Sequence, residues 1–269
     1  MKYNDWYEMI KNNLVNYKLN VLGIPGSGFY GKKQEDHILP RACSGANYMF
    51  DINNLVFKKH HGFHHLNSSQ TMCVNFFAPM LEDDCKLLSK LLASLLNEDI
   101  KVISFEFEYT NKKIYGDTNF DFYCQDANKH NYYFEIKYTE QGIAKKCSAK
   151  DQSDGNLIKV YDEKYRENVE SDGSQLVIDN PLIFMKEHYQ AFRNISCANE
   201  VKNNYCFFIT MEGNEKTKNE LNEALSYVKS DKYVKSLYWE SIVQLALELV
   251  KDDPELFGYY LEFKNKYSL

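Results

Sequence analysis

The sequence predicts an α/β fold in which a central mixed sheet is flanked by helices, and three observations support it. First, residues 101–109, 119–125 and 132–139 alternate between apolar and polar side chains in short runs, a pattern typical of strands. Second, the apolar run YCFFITM at 205–211 predicts a further, buried strand. Third, segments with helical spacing of apolar residues lie before, between and after these runs, which is the order of a layered α/β protein.

The chain is predicted to begin with an amphipathic helix over residues 1–20. Trp6, Ile10 and Leu14 recur at a spacing of four residues, which places them on one face of a helix. The following segment, 23–47, is rich in glycine and proline and is therefore expected to be a loop.

A second helical segment is expected over residues 68–97. Ser68 or Ser69 can cap its first turn. Pro79 is expected to break it, because proline lacks the N–H group that a helix interior requires. Leucines after the break form one apolar stripe: Leu87, Leu88, Leu91, Leu92, Leu95 and Leu96.

The connections between the three strand-like runs are short, which predicts an antiparallel meander. Residues 140–180 are polar and are expected to form a long insertion or a mobile loop. A helix is predicted near 183–195 and more helices across 216–251. We expect a single domain, residues 1–269, with these parts: a core at about 66–211, an N-terminal helix and loop over 1–65, and C-terminal helices over 216–269.

Composition limits the classes of protein to which the chain can belong. Its hydrophobic content of 44% is ordinary for a globular protein and is enough for a sizeable core. No apolar run approaches the ~20 residues of a membrane-spanning helix, and the N-terminal residues lack an apolar signal segment. The seven cysteines include no C-x-x-C pair, which fits reduced thiols better than a disulfide framework. The sequence therefore predicts a cytoplasmic protein without membrane association.

The residues that carry the predicted chemistry lie on the second and third strand-like runs. An acid, any residue and then lysine occur six times in the chain, so this pattern alone is weak. Glu135 and Lys137 differ from the other copies because they share one face of a strand, while Ile136 faces the other side. The preceding run carries Asp121 between two phenylalanines, and pairing of the two strands would bring this acid beside Glu135.

Two carboxylates and an ammonium group are costly to bury together unless another charge compensates. A hard divalent cation would do so, because Mg²⁺ prefers carboxylate oxygens and keeps several of its waters. Such a centre suits phosphodiester hydrolysis, in which Lys137 would orient the attacking water or neutralise charge developing on the phosphate. The same pattern also allows a structural cross-strand ion pair, so the residues alone leave both interpretations open.

The run from Asp121 to Lys137 resembles the active site of the PD-(D/E)xK nuclease superfamily. More specifically, four stretches look like one branch of bacterial restriction endonucleases: LNSSQTMCVNFFAPM at 66–80, TNFDF at 118–122, FEIKYTE at 134–140 and HYQAFRNI at 188–195. The resemblance implies a restriction-endonuclease-like core. It also implies a Mg²⁺-dependent endonuclease, with Mn²⁺ able to substitute, that acts on double-stranded DNA in restriction or defence.

The resemblance also implies roles for individual residues. Asp121 and Glu135 would bind the metal, Ile136 would belong to the metal site, and Lys137 would be catalytic. Residues expected to support the site are Gln70, Glu108, Gln190 and Arg193. Many relatives carry an extra glutamate on the first core helix, where this chain has Gln70. The candidates for that role are Glu82, Glu106 and Glu108.

The formal charge of −6 does not exclude a nucleic-acid partner, because net charge does not determine what a local surface binds. The side chains expected to contact DNA phosphates are Lys58, Lys59, Lys145, Lys146 and Lys150. Arg41 or polar residues of 140–180 are expected to select the DNA sequence, and a homodimer is one option for the assembly.

Two alternatives stay open at this point. The chain could be a nuclease that acts on RNA or branched DNA, or a nuclease-like module that binds nucleic acid without cutting, although the intact triad argues against the module. The segment GSGFYGKK at 26–33 has Lys33 where a phosphate-binding loop needs Ser or Thr, so an NTPase site is not expected. A zinc site is not expected either, because no second ligand cluster follows His60, His61, His64 and His65.

Overall fold

The computed structural model describes residues 2–26, 28, 57–63, 65–111 and 118–269. The described helices are α1 (Tyr3–Asn20), α2 (Ser69–Phe77), α3 (Glu82–Leu96), α4 (Asp154–Lys164), α5 (Arg166–Val169), α6 (Pro181–Lys186), α7 (Tyr189–Ile195), α8 (Glu215–Leu225), α9 (Trp239–Leu249) and α10 (Pro254–Tyr267). The strands are β1 (Val102–Asn111), β2 (Thr118–Asp126), β3 (Asn131–Ile136), β4 (Asn204–Thr210) and β5 (Val234–Tyr238).

Within this part of the chain, the five strands form one sheet in the order β1-β2-β3-β4-β5. The first three strands pair antiparallel, whereas β4 is parallel to β3 and β5 is parallel to β4. The predicted meander and the predicted mixed sheet are therefore confirmed.

Helices cover both faces of the sheet. On one face, Phe77 of α2 stacks on Phe122 of β2 with ring centroids 4.2 Å apart, and α1, α3, α9 and α10 extend this core. On the other face, Leu157 of α4, Phe192 of α7 and Leu221 of α8 are buried against Phe208 of β4. The sheet is thus the middle layer, and its central strands are shielded on both sides.

The N-terminal helices follow the sequence pattern. Trp6, Ile10 and Leu14 are all buried along one face of α1. Ser68 caps α2 by accepting a hydrogen bond from the N–H of Thr71 at 3.2 Å. The predicted break at Pro79 is a 3₁₀ turn between α2 and α3, because proline removes a helical hydrogen bond. A bilayer-spanning helix, long and apolar throughout, is absent from the described residues.

Three expectations need correction. The mobile loop expected over 140–180 is wrong for α4 and α5, because buried Leu157 and Tyr161 recur at helical spacing among polar residues. The helix expected near 183–195 is two helices, α6 and α7. The segment 216–251, expected to be helical, contains β5, whose pairing partner β4 lies more than twenty residues earlier.

Most of the predicted loop 23–47 and of the segment 26–33, with Arg41 and His64, lies outside the described residues.

Candidate active site

Three carboxylates lie at one register position across three neighbouring strands. The β1–β2 ladder pairs Phe107 with Phe122, and its next position places Glu108 opposite Asp121. The β2–β3 ladder ends at the pair of Phe122 and Phe134, and the residues that follow this pair are Asp121 on β2 and Glu135 on β3. The charges of Glu135 and Glu108 both act on Asp121, so the three acids lie close together. We call them the carboxylate row.

The strands are distorted at this row. Glu108 has a φ of +55°, which is a left-handed conformation that is uncommon outside glycine. Phe107 is buried in the core beneath α2, yet Tyr109 packs against the core on the opposite face. Phe122 and Phe120 of β2 are divided between the two cores in the same way. In a regular strand residues two apart share a face, so both strands turn over at the carboxylate row. Strained backbone of this kind clusters at functional sites.

Glu135 is held by donors on both of its carboxylate oxygens. Gln190 Nε2 donates to Oε1 at 2.7 Å, and Asn194 Nδ2 donates to Oε2 at 2.7 Å. These two amides lie one turn apart on α7. The ammonium group of Lys137 lies 2.6 Å from Glu135 Oε1, and the side chains are only 13% and 4% exposed. Gln190, Arg193 and Asn194 stand at helical spacing in the sequence, and the resemblance favours a place for them beside the active site; the structure brings Gln190 and Asn194 to Glu135.

The carboxylate row places several acids close together beside one cation, the ammonium group of Lys137. Asp121 Oδ2 accepts a hydrogen bond from the N–H of Ile136 at 2.6 Å. Burial, and then the charge of Glu135, raise the pKa of Asp121 well above its usual range, with Lys137 opposing. Burial lowers the pKa of Lys137, but the carboxylates of Glu135, Glu140 and Asp121 together outweigh it and raise that pKa. Lys137 is therefore a protonated donor.

Glu108 connects the row to the segment before α2. His60 Nε2 lies 3.2 Å from Glu108 Oε2. Burial raises the pKa of Glu108, while the hydrogen bond from Gln70 and the neighbouring His60 lower it. Gln70 Nε2 also donates to the carbonyl of Lys58 at 2.9 Å, and its Oε1 accepts from the N–H of His60 at 2.9 Å. The structure thus brings Gln70 and Glu108 to the site, whereas Glu82 and Glu106 are exposed.

Cys73 is a neighbour of the row that the sequence analysis did not include. Its thiol lies 3.6 Å from the main-chain oxygen of Asp121. Burial, and then the charges of Asp121, Glu108 and Glu135, raise the pKa of this thiol well above its usual range. A neutral thiol here adds no further negative charge to the row. Nothing in the sequence signals the contact, because α2 and β2 meet only in the folded protein.

The structure does not place Arg193 on the carboxylate row. Its guanidinium lies 5.6 Å from the ring of Tyr189. In the described part of the chain it forms no ion pair with Glu135. The supporting role expected for Arg193 stays a prediction, and it would act through the packing of α7.

The predicted DNA-binding lysines fall into two groups. Lys58 and Lys59 are exposed beside Gln70. Lys145 lies near the start of α7, but its ammonium is 3.2 Å from Glu223 and 4.0 Å from Glu220. Lys146 and Lys150 are exposed in the same segment. The first group reaches the carboxylate row through Gln70, and the second reaches it through α7, whose Gln190 contacts both Ala144 and Glu135.

The carboxylate row can accommodate a hard divalent ion. Among the described residues, no group of three or more His, Cys, Asp or Glu side chains is arranged as a ready metal-binding set. Acceptor capacity is nevertheless left over: Asp121 accepts one hydrogen bond, and Glu135 uses three of a carboxylate's roughly four acceptor positions. Glu108 Oε1 is buried without a hydrogen-bond partner in this part of the chain. Ile136 could contribute only its main-chain oxygen. These oxygen donors fit Mg²⁺, which one or two carboxylates and water commonly hold.

A polar groove of about 650 Å³ opens beside the row. Its walls include His60 and Gln70, which contact Glu108, and Glu140, whose charge acts on Lys137. Tyr3 and Asn67 close its floor by donating hydrogen bonds to Thr139 at 2.7 Å and 3.0 Å. None of the three acids lines the groove itself, so the groove adjoins the row through these wall residues.

Comparison with known proteins identifies a nuclease family. A family model described as Restriction Endonuclease associating with ARP matches residues 16–268, which is most of the chain and includes the whole carboxylate row. Neither the curated proteins nor the solved structures contain a match to this chain. The family match agrees with an α/β nuclease-like core.

Proposed function

We propose that this chain, which belongs to the family of restriction endonucleases associating with ARP, is a Mg²⁺-dependent endonuclease that hydrolyses double-stranded DNA. We assign its site to the PD-(D/E)xK arrangement and its biological role to restriction or defence in the cytoplasm. The observation that carries the proposal is the convergence of Glu108, Asp121 and Glu135 with the protonated Lys137 beside an accessible polar groove.

Asp121, Glu135 and the main-chain oxygen of Ile136 would hold the metal, and Mn²⁺ could replace Mg²⁺. When bound, the ion supplies positive charge that polarises the phosphate and makes a coordinated water more acidic. The chain's own residues do the positioning. Gln190 and Asn194 orient both oxygens of Glu135, which limits its freedom to rotate.

Lys137 supplies the positive charge of the site. Its ammonium is protonated and largely shielded from solvent, and it lies on the side of Glu135 that faces the row. A cation in this position can orient the attacking water or stabilise charge developing on the phosphate oxygens. The raised pKa of Cys73 keeps this thiol neutral, so it adds no charge to the site.

DNA would lie across the polar groove. Lys58 and Lys59 flank it and would contact phosphates, which position a duplex without reading its sequence. Lys146 and Lys150 would extend this contact beyond α7, whereas Lys145 is partly neutralised by Glu220 and Glu223. A homodimer would bring two such sites to opposite strands.

The test is cleavage of supercoiled plasmid by the purified chain in Mg²⁺ and in EDTA. We expect cutting in Mg²⁺, none in EDTA, and none with Glu135→Gln, which keeps the shape of the side chain. Glu200→Gln is the matched control, because Glu200 begins an exposed copy of the same acid-x-Lys pattern. That variant should cut like the wild type.

Substrates other than duplex plasmid decide between the alternatives. Cleavage of RNA or of branched DNA in place of the plasmid would overturn the substrate assignment. Binding of DNA without cleavage, under every metal tested, would overturn the nuclease assignment and favour a binding module.

A further inference from the structure

A second cavity, of about 420 Å³, lies on the same face of the sheet as Glu135. Tyr133 lines it and is two residues before Glu135 on β3, so the two side chains share a face. We call this cavity the amide pocket, and the lining residues that matter here are Tyr109, Tyr123, Gln125, Asn131, Tyr133 and Asn204. Its volume is within the range of small-ligand sites, about 300–1,000 Å³.

Aromatic rings form one wall of the amide pocket. Tyr109 and Tyr123 stack with centroids 4.1 Å apart and an angle of 16° between their planes. Tyr133 lies 5.3 Å from Tyr123 and extends the wall toward the carboxylate row. Rings stacked in this way cover each other's facing surfaces, so a planar ligand in the pocket would extend the stack on an outward face.

A chain of amides forms the polar side of the pocket, and Asn131 determines its orientation. Asn131 Oδ1 accepts from Tyr123 Oη at 2.7 Å and from Gln125 Nε2 at 2.9 Å. Asn131 Nδ2 donates to Asn204 Oδ1 at 2.8 Å and to the carbonyl of Lys129 at 3.3 Å. All four hydrogen-bonding positions of this side chain are therefore in use.

Because every hydrogen-bonding position of Asn131 is in use, one polar atom is left over on each of the two amides that contact it, Gln125 and Asn204. Gln125 donates inward, so its Oε1 stays available as an acceptor. Asn204 accepts inward, so its Nδ2 stays available as a donor. Neither atom has a hydrogen-bond partner in the part of the chain that the structure describes. One acceptor and one donor, fixed in position, match the donor and acceptor groups that a nucleobase carries along its edge.

The charge of the lining favours a neutral ligand. No Asp or Glu lines the pocket among the described residues, and its one lysine, Lys202, is exposed. Stacking on tyrosine combined with amide hydrogen bonds is how proteins recognise unpaired bases. An exposed lysine beside such a pocket is suited to the phosphate of the same nucleotide.

We propose that the amide pocket binds one nucleobase of the duplex substrate that leaves its pair, next to the phosphate that is cut, and that a base already unpaired enters the pocket more readily. This inference rests on the proposed nuclease function. Tyr133 and Glu135 are about 7 Å apart along β3. In addition, α7 orients Glu135 through Asn194 and continues directly into Ser196 and Cys197 at the pocket. A base in the pocket therefore belongs to a nucleotide close to the carboxylate row.

The test is binding of labelled duplexes to the full chain in Ca²⁺, which is used in place of Mg²⁺ to avoid cleavage. One duplex is fully paired, the second carries one unpaired base, and the third carries an abasic residue at that position. We expect the unpaired base to increase affinity about tenfold over both other duplexes, a size typical of stacking of one base on an aromatic side chain. Equal affinities for the three duplexes would overturn the proposal.

Variants test whether the pocket is the site of that preference. Gln125→Ala and Asn204→Ala should each reduce the preference for the duplex with the unpaired base, while the affinity for the fully paired duplex stays unchanged. Gln244→Ala is the matched control, because Gln244 is an exposed glutamine on α9, which packs on the opposite face. Variants that fold, by their melting temperatures, and keep the full preference would show that the base binds elsewhere. Should either variant not fold, the three duplexes still decide the proposal.

Free nucleosides distinguish the source of the base. Competition by millimolar adenosine or cytidine, without any preference for the unpaired base in DNA, would overturn the nucleic-acid origin of the ligand. Plasmid cleavage is scored separately. A wild type that cuts plasmid but shows no preference for the unpaired base refutes the pocket alone, and a wild type that shows the preference but does not cut refutes the nuclease function alone.

Discussion

Two aspartates five residues apart on β2 show how differently one strand can use a buried acid. Asp126 is fully buried, and each of its oxygens accepts two contacts. Its Oδ1 accepts from the N–H groups of Asn128 and His130 at 2.9 Å. Its Oδ2 accepts from Tyr132 Oη at 2.9 Å and lies 3.0 Å from His130 Nδ1. Asp126 thereby holds the turn between β2 and β3.

Asp121 is only partly shielded from solvent, and its surroundings are the opposite of those of Asp126. It accepts one hydrogen bond, from Ile136, and it has Glu108 and Glu135 as register neighbours on both sides. Burial of an acid is therefore not by itself a sign of function. The number of donors and the number of like charges around the carboxylate separate a structural aspartate from one that can serve a metal.

The largest expected effect is on cleavage. Asp121→Asn should reduce plasmid cutting at least about 100-fold, the size that losing one essential electrostatic contact has in other enzymes. Asp126→Asn should retain cutting but unfold several degrees lower, because buried donors lose their acceptor at a cost of about 1–3 kcal/mol. Cleavage assays and thermal melts of the two variants measure this. A comparable loss of cutting in both variants, with both folded, would remove the distinction between the two aspartates.

A smaller effect is expected from the amides that orient Glu135. Gln190→Ala and Asn194→Ala should each lower the cleavage rate about tenfold, since outer partners of metal ligands commonly contribute 10–100-fold. Arg193→Ala is the control on the same helix and should have a smaller effect, because Arg193 packs on Tyr189 instead of contacting Glu135. A larger loss in Arg193→Ala than in Gln190→Ala would contradict the positioning role.

The lysines should differ in their contribution to DNA binding. Lys58→Ala and Lys59→Ala should each lower the salt dependence of affinity by ~0.9 log unit per log unit of salt, as expected when one phosphate contact is lost. Lys145→Ala should change it less, because Glu220 and Glu223 already contact that ammonium. Titrations in Ca²⁺ across a salt series give the slopes. Equal slopes for Lys58→Ala and the wild type would show that DNA lies elsewhere.

The smallest effect is on stability without metal, and it depends on pH. The pKa of Asp121 is raised by burial and by Glu135, whereas an aspartate in an unfolded chain titrates near 4. Folding stability is therefore lost as the pH rises from about 4 through the raised pKa, because only the unfolded chain readily releases the proton. In EDTA, Asp121→Asn should melt a few degrees above the wild type at pH 8, where about 1 kcal/mol corresponds to 2–4 °C.

This difference should become small as the pH falls to 4, where the folded carboxyl is protonated and the unfolded one is about half protonated. Thermal melts of the two proteins at pH 4, 6 and 8 are the measurement. A wild type that is as stable as Asp121→Asn at pH 8 would mean that the row is not crowded by negative charge.

Much of the fold follows from the sequence because local patterns agree with it. Helical spacing of Trp6, Ile10 and Leu14 predicted α1, Pro79 predicted the break before α3, and alternation predicted the β1–β3 meander. Helix α4 and strand β5 were missed for a physical reason. The buried positions of α4 are few among polar residues, and β5 is short and depends on a parallel partner that is distant in the chain.

The candidate site, like the fold, was predictable from the sequence only in part. The sequence by itself predicted that Asp121, Glu135 and Lys137 meet, because Glu135 and Lys137 alternate on one strand and antiparallel pairing places the strand of Asp121 beside it. Only the tertiary structure decided that Glu108 completes the row, since this requires a left-handed residue and a change of face in the middle of β1. It also decided which donors reach each carboxylate. Those contacts come from α7 and from the turn after β2, and such side-chain geometry depends on packing that no local sequence pattern encodes.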